Sequence, residues 1–195
     1  MKLLVMTKPT FFVEEDKLLS ALFDEGVDGL HINKPGSAPM YSERLLTLLP
    51  EECLPAIVVH DHFYLKEEYG LRGIHFNDDD TIPPIGYKGY TSRTCHSFDQ
   101  ILKFKKNSQY VFLSDAFNGK GPSLSALEEA SSQGLIDKKV YAAGGITVET
   151  IKTARQLGFG GVVVCGDLWS HFDIHSQSDY KELINQYGKL RKAAY

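Results

Sequence analysis

A chain of 195 residues, 43% hydrophobic and 24% charged, is long enough for one sizeable core and short for two domains, so residues 1–195 are expected to form a single domain. A net charge of −4, from 21 Lys+Arg against 25 Asp+Glu, excludes a general nucleic-acid binder, because phosphate neutralisation needs a basic surface. Cys53, Cys95 and Cys165 are too scattered for a disulfide framework or zinc knuckle, and the apolar run of MKLLVMTKP stops too early for a signal peptide or membrane span. A reduced, cytoplasmic protein without membrane partners is expected.

Taken in order, KLLVM reads as a strand. EEDKLLSALFDEG has helical spacing at Leu18, Leu19, Leu22 and Phe23, with Gly26 as its C-terminal stop. VDGLHI is the next strand, and Ser42 with Glu43 opens a helix through Leu49. PAIVV follows, then a short helix around Tyr64 to Tyr69, closed by Gly70. RGIHF is a fourth strand. The segment DDDTIPPIGYKG after it cannot be a regular helix, since Pro83 and Pro84 remove donors and clash with the preceding turn.

YTSRTC is the fifth strand, and Ser97 caps a helix from Phe98 to about Lys106. QYVFLS leads to a helix from about Ser125 to Ser132, and KVYAA to a helix capped by Thr147. GGVVVC is the eighth strand, and the tail is a final helix with Ser178 as its cap. Eight short, continuously apolar strands alternating with helices predict an α/β protein with a parallel sheet buried on both faces. Eight units favour a compact (β/α)₈ TIM barrel with one crossover reduced to a loop after strand four. A doubly wound sheet is disfavoured, because TKPTFF after strand one has no glycine for a dinucleotide turn.

The strand ends are where the ionisable residues fall. Strand two runs into His31, Asn33 and Lys34; strand three into His60, Asp61 and His62. Strand four carries His75, then Asn77 and Asp78 to Asp80; strand five ends at Arg93, Thr94 and His96. Strand six ends in Ser114 and Asp115, with Lys120 a few residues on. The strand starts carry only scattered charges such as Asp28, Arg72 and Lys139. In a barrel all C-terminal strand ends share one mouth, so this asymmetry predicts an active-site rim. Period-two alternation sends His60 and His62 to one face and Asp61 to the other, which argues against a metal held by all three.

Strands seven and eight end in glycine, at AAGGIT and VVVCGD. Gly144 and Gly145 precede a helix, and Gly166 precedes a short turn. Bare N–H groups at such turns bind phosphate, and barrels often build that site after strands seven and eight.

These segments together resemble the thiamine phosphate synthase and thiazole tautomerase family. GLHINK sits where the family has a Gly-Val-Gln-Leu-Arg stretch, and VVHDHFYLKEEYGLRGIHFNDDD is similar to its Asn-Asp-Arg segment followed by Asp-Gly-Val-His-Leu and a later Asp. SRTCHSFDQI is similar to its Ser-x-His-Ser segment, and YVFLSDAF, VYAAGGIT and GFGGVVVCGD to its last three strands. The resemblance implies a thiazole phosphate ligand with its phosphate on Gly144, Gly145 and Gly166. His31, Asn33, Lys34, His60, His62, His75, Arg93 and Lys120 are the expected substrate-binding residues.

Two chemistries follow from the resemblance. The synthase branch joins an aminopyrimidine diphosphate to the thiazole phosphate, releases pyrophosphate, and uses Mg²⁺ on aspartates that fall on Asp61 and Asp80. The tautomerase branch aromatises a thiazole phosphate carboxylate by moving a proton, needs no cofactor, and uses a histidine that falls on His96. Asn33 stands in place of the synthase Arg, Pro35 in place of the following Lys, and His60 and His62 flank the metal Asp. The Thr-x-Thr-Lys element after strand six is reduced to NGKGPS. These departures remove groups that grip pyrophosphate, and on sequence they tilt the expectation toward the tautomerase, with the synthase next. A non-catalytic thiazole phosphate binder and a metal hydrolase on His60 and His62 rank lower. Trp169 and Phe172 are read as exposed aromatics compatible with a homo-oligomer interface or a lid.

Overall fold

The computed structural model describes residues 1–173 and 179–195. Its strands are β1 (Lys2–Met6), β2 (Gly29–Ile32), β3 (Ile57–Val59), β4 (Gly73–Phe76), β5 (Tyr90–Cys95), β6 (Tyr110–Leu113), β7 (Val140–Ala143) and β8 (Gly161–Val164). Every pair is parallel, each strand bonds the next, and β8 returns to β1 to close the barrel. The chain is therefore a (β/α)₈ barrel, as its alternation of apolar runs and helices implies.

Around it lie α1 (Glu15–Asp24), α2 (Pro39–Leu48), α3 (Leu65–Glu68), α4 (Phe98–Phe104), α5 (Leu124–Ser132), α6 (Val148–Gln156), α7 (Gly166–Ser170) and α8 (Asp179–Ala194). Local chemistry sets their ends. Ser97 and Ser123 accept from Gln100 N–H and Ala126 N–H, and Thr147 forms a reciprocal capping box with Thr150. Gly26, just past the end of α1, takes φ +81°. Ser178, the expected cap of α8, lies outside the described residues. Helix α2 starts three positions before Ser42, because Pro39 at its first turn supplies a helical φ and lacks only an N–H that would be unbonded anyway. Residues 77–89, with their two prolines, hold no helix.

Strand alternation divides the apolar side chains into two layers. Leu3 and Val5 face the helices, in the main core with Leu19, Leu46, Ile101 and Ile151. Leu4, Tyr110, Phe112, Tyr141 and Val163 fill the lumen. Tyr110 stacks on Tyr141 at 4.6 Å between ring centroids, which plugs the barrel below its mouth.

The same alternation corrects two expectations. In β5, Ser92 and Thr94 meet the lumen residue His75, so Arg93 between them faces outward. Its guanidinium lies over the rings of Phe76 and Phe104, at 4.6 and 4.4 Å, and donates to the carbonyls of Asp78 and Thr81. Arg93 pins the helix-less 77–89 crossover and does not reach the mouth. Trp169, read as exposed, is 5% exposed and donates from Nε1 to the Met6 carbonyl at 2.7 Å; Phe172 packs on Phe12.

Candidate active site

Parallel closure places the residues after all eight strands on one rim. Among the described residues three non-glycine residues adopt left-handed φ, and all lie in loops leaving this rim: Glu14 after β1, His62 after β3 and Asp115 after β6. Such strain gathers where loop geometry is dictated by a site.

The β7–β8 side forms a cradle of about 400 Å³ lined by Gly144, Gly145, Thr147, Cys165, Gly166 and Asp167, among others. Gly144 and Gly145 have φ of +87° and +70°. A Cβ at Gly144 would come within 2.9 Å of Asp115 Cα, and one at Gly145 would overlap the backbone of Phe117. These two glycines let the β6 loop lie on the turn, where Ala116 N–H and Phe117 N–H donate to the carbonyls of Ala143 and Gly144. Gly166 differs: its φ is ordinary and nothing lies within 4 Å of its Cβ position, so its missing side chain keeps the cradle open. The Asp167 carboxylate accepts from Gln186 Nε2 at 2.7 Å.

On the β2–β3 side the orphaned groups are acceptors. Asn33 Oδ1 and Asp61 Oδ2 are buried without a hydrogen-bond partner, as is Asp79 Oδ1 in the β4 loop. Buried acceptors without donors are rare, and a cation or a donor ligand would satisfy them. Asp61 carries one of these orphaned oxygens and Asp80 is exposed in the β4 loop, and carboxylate oxygens of this kind are the donor type that suits Mg²⁺. The strand ends at Val59 and His62 takes φ +53°, so simple alternation does not extend to it; its Nε2 bonds the Ser37 carbonyl oxygen at 2.9 Å.

Lys34 does not offer its charge to the mouth. Its ammonium is 1% exposed and donates to Glu15 Oε1 at 2.6 Å and to the Thr10 carbonyl. It also lies over the Phe11 ring. Burial lowers the Lys34 ammonium pKa and raises that of Glu15, and each partner's charge opposes the other's shift. The pair ties the β1–α1 loop to the end of β2, so the expected substrate cation is a structural one. Glu15 carried no signal in the sequence, because its position in a first helical turn reads as an ordinary dipole partner.

His31, His60 and His75 sit inside the barrel, at 0%, 4% and 0% exposure. His31 Nδ1 lies 2.8 Å from His60 Nε2, and His31 Nε2 lies 2.7 Å from the Tyr110 hydroxyl. His60 Nδ1 meets Asn77 Oδ1 at 2.7 Å. His75 bonds Ser92 Oγ at 2.7 Å and Thr94 Oγ1 at 2.8 Å. Burial holds all three imidazoles below their ordinary pKa, His60 at about 4, so they are neutral at pH 7. Direct substrate contact, expected of them, gives way to a place beneath the mouth. Ser92 and Tyr110 were missed as partners; the period-two pattern of YTSRTC already puts Ser92 and Thr94 on one face.

Among the described residues this trio is the one group of three whose ligand atoms approach closely enough to hold a metal, all within 4.8 Å. Its geometry does not suit an ion. The His60 and His75 rings are stacked at 4.1 Å and 23°, so their in-plane lone pairs run alongside rather than converge. Each ring nitrogen already has a hydrogen-bond partner, and no carboxylate offsets a buried dication.

At the end of β5, His96 is exposed and its Nδ1 meets Ser114 Oγ, from the end of β6, at 2.8 Å. The imidazole is held at the rim and open to solvent. Lys120 is exposed in the β6 loop, its N–H bonded to Asn118 Oδ1. The structure thus gathers Asn33, Asp61, His96 and the three glycines at one mouth, with the buried histidines below and Arg93 outside.

No protein-family model matches the chain. The thiamine-phosphate synthase of Flavobacterium johnsoniae is 26% identical over 157 residues, covering 72% of this chain and 71% of its own length. That of Rhodospirillum centenum is 26% identical over 148 residues, 70% of this chain and 72% of its own. A crystal structure of a thiamine phosphate pyrophosphorylase from Bacteroides thetaiotaomicron is 47% identical, covers 100% of this chain and 98% of its own, and superposes with a TM-score of 0.94. The Pyrococcus furiosus thiamine phosphate pyrophosphorylase, at 16% identity and TM-score 0.73, shares the fold. Near-half identity along the full length of the Bacteroides thetaiotaomicron structure, on the same closed barrel, places this chain in the thiamine-phosphate synthase family.

Proposed function

We propose that the protein is a transferase of thiamine biosynthesis that joins an aminopyrimidine diphosphate to a thiazole phosphate and releases pyrophosphate. The observation that carries this reading is Asp61 Oδ2, a buried mouth acceptor with no protein donor. The two curated relatives and the 47%-identical structure carry synthase names, which supports the transferase over the proton shift favoured by sequence departures alone.

In this reading the glycine turn at Gly144 and Gly145, with Gly166 across the cradle, binds the phosphate of the thiazole through backbone N–H groups, since the capping box already occupies Thr147 N–H and Thr150 N–H at the α6 N-terminus. Asp61 and Asp80 would hold Mg²⁺, whose charge would neutralise the departing diphosphate. Both regions follow strands of one closed parallel barrel, an arrangement that supports holding the thiazole nitrogen toward the pyrimidine methylene. A carbon–nitrogen bond forms as the carbon–oxygen bond to diphosphate breaks, and the electron pair leaves with pyrophosphate. Positioning of this kind contributes much of the acceleration in bimolecular transfers.

The test is pyrophosphate release from the two substrates with Mg²⁺. Asp61→Asn should lower the rate about 100-fold or more while the fold stays intact. Turnover that persists in EDTA, or an unaltered Asp61→Asn enzyme, would sink the transferase reading. A second reading rests on His96, whose imidazole is held by Ser114 at the rim: proton transfer on a thiazole phosphate carboxylate. His96→Gln should then abolish aromatisation while leaving ligand affinity intact, and an unchanged rate would remove it.

A further inference from the structure

The lumen hydrogen bonds form two arms. On one arm are Thr94, His75 and Ser92; on the other are Tyr110, His31, His60 and Asn77. A neutral imidazole donates through one nitrogen and accepts through the other, so each link fixes the next.

Only two self-consistent directions exist, and the Asn77 end decides between them, because a carboxamide oxygen only accepts. Burial raises the pKa of the Tyr110 phenol, so it keeps its proton, and an imidazole nitrogen is a good acceptor for it. Tyr110 O–H therefore donates to His31 Nε2. His31 must then carry its proton on Nδ1 and donate to His60 Nε2, and His60 must carry its own on Nδ1 and donate to Asn77 Oδ1. The Asn77 oxygen does face His60. The opposite direction would need Asn77 to turn its NH₂ to His60 and Tyr110 to accept from the His31 imidazole.

We propose that His60 and His31, backed by Tyr110, are positioning residues that hold the Asn77 carboxamide with its oxygen inward and its NH₂ toward the mouth. Asn77 follows β4, is half-buried, and lies between lumen and rim. Its NH₂ then becomes a fixed donor just after β4, next in sequence to the acidic β4 loop, suited to an anionic ligand oxygen. With Lys34 tied to Glu15 and Arg93 outside the barrel, neutral donors take over part of the anion grip. That ligand assignment rests on the transferase reading; the relay itself does not.

Long-range ¹H–¹⁵N spectra of ¹⁵N-histidine protein report which ring nitrogen carries each proton. His31 and His60 are expected as Nδ1–H. Tyr110→Phe removes the driving donor, so both rings should shift toward Nε2–H. Binding of inorganic pyrophosphate with Mg²⁺, read by calorimetry, should weaken about three- to tenfold, the scale of one hydrogen bond. If that variant unfolds, Asn77→Ala serves: it takes the acceptor from His60, and the His31 tautomer should follow although His31 does not touch Asn77. Wild-type His60 on Nε2–H, or a His31 tautomer indifferent to Asn77→Ala, overturns the relay. Shifted tautomers with unchanged pyrophosphate affinity in Tyr110→Phe overturn its positioning role. Nδ1–H tautomers in a wild type that binds no pyrophosphate overturn the transferase reading and leave the relay standing.

Discussion

The β7–β8 side of the mouth offers backbone, and the β2–β5 side offers side chains. Gly144, Gly145 and Gly166 line an open cradle, while Asn33, Asp61 and the buried histidines crowd the opposite wall and the floor. A cradle of N–H groups is set by φ and ψ, so it tolerates no Cβ where the chain crosses itself. A wall of imidazoles and carboxylates depends on protonation and hydrogen-bond direction, so it answers to pH and to distant partners. One mouth therefore has a side that fails sterically and a side that fails electrostatically.

The largest expected effect breaks the steric side. Gly145→Ala forces a Cβ into the Phe117 backbone at φ +70° and should cost about 3 kcal/mol in urea unfolding. A loss below about 1 kcal/mol would mean the turn relaxes easily. On the electrostatic side, three histidines have folded pKa values lowered from 6.5, His60 to about 4. The unfolded chain binds more protons than the folded one in that window, so stability is full above about pH 6.5 and falls as pH drops toward 4. Glu15, raised by burial, works in the opposite sense, as one group against three. A urea midpoint that stays flat from neutral pH to about pH 5 would contradict neutral buried imidazoles.

Gly166→Val sharpens the contrast within the cradle. Its Cβ position is open, so unfolding should be unchanged while affinity for a thiazole phosphate falls about tenfold or more. Equal affinity for phosphorylated and dephosphorylated thiazole in the wild type would remove the cradle's role. The smallest effect is Arg93→Lys, which keeps the charge and loses the planar fork and the stacking between Phe76 and Phe104. It should cost about 1 kcal/mol and expose residues 77–89 to protease, with no change in anion affinity. Weaker anion binding would put Arg93 back at the mouth.

Much was legible in the linear order. Eight apolar runs gave eight strands, Pro83 and Pro84 forecast the crossover without a helix, and Thr147 and Gly26 marked helix ends where side chain or φ acts on immediate neighbours. The gathering of ionisable residues at strand ends also followed, because parallel closure puts those ends together. Less legible were the roles of single residues on the rim. Lys34, Arg93 and His31 look alike as polar residues at or near a strand end. They finish respectively in a buried ion pair, on the outer wall and in the lumen.

What the sequence alone determined about this protein was the barrel, its missing helix and the end where ionisable residues gather, since these rest on local periodicity, caps and prolines. Tertiary structure decided which side chains face the mouth, the lumen or the helix layer. A one-residue step along a strand turns a side chain from lumen to helix layer, and partners such as Tyr110 for His31, 79 residues apart, meet only on closure. Burial then sets the protonation that makes those contacts donors or acceptors.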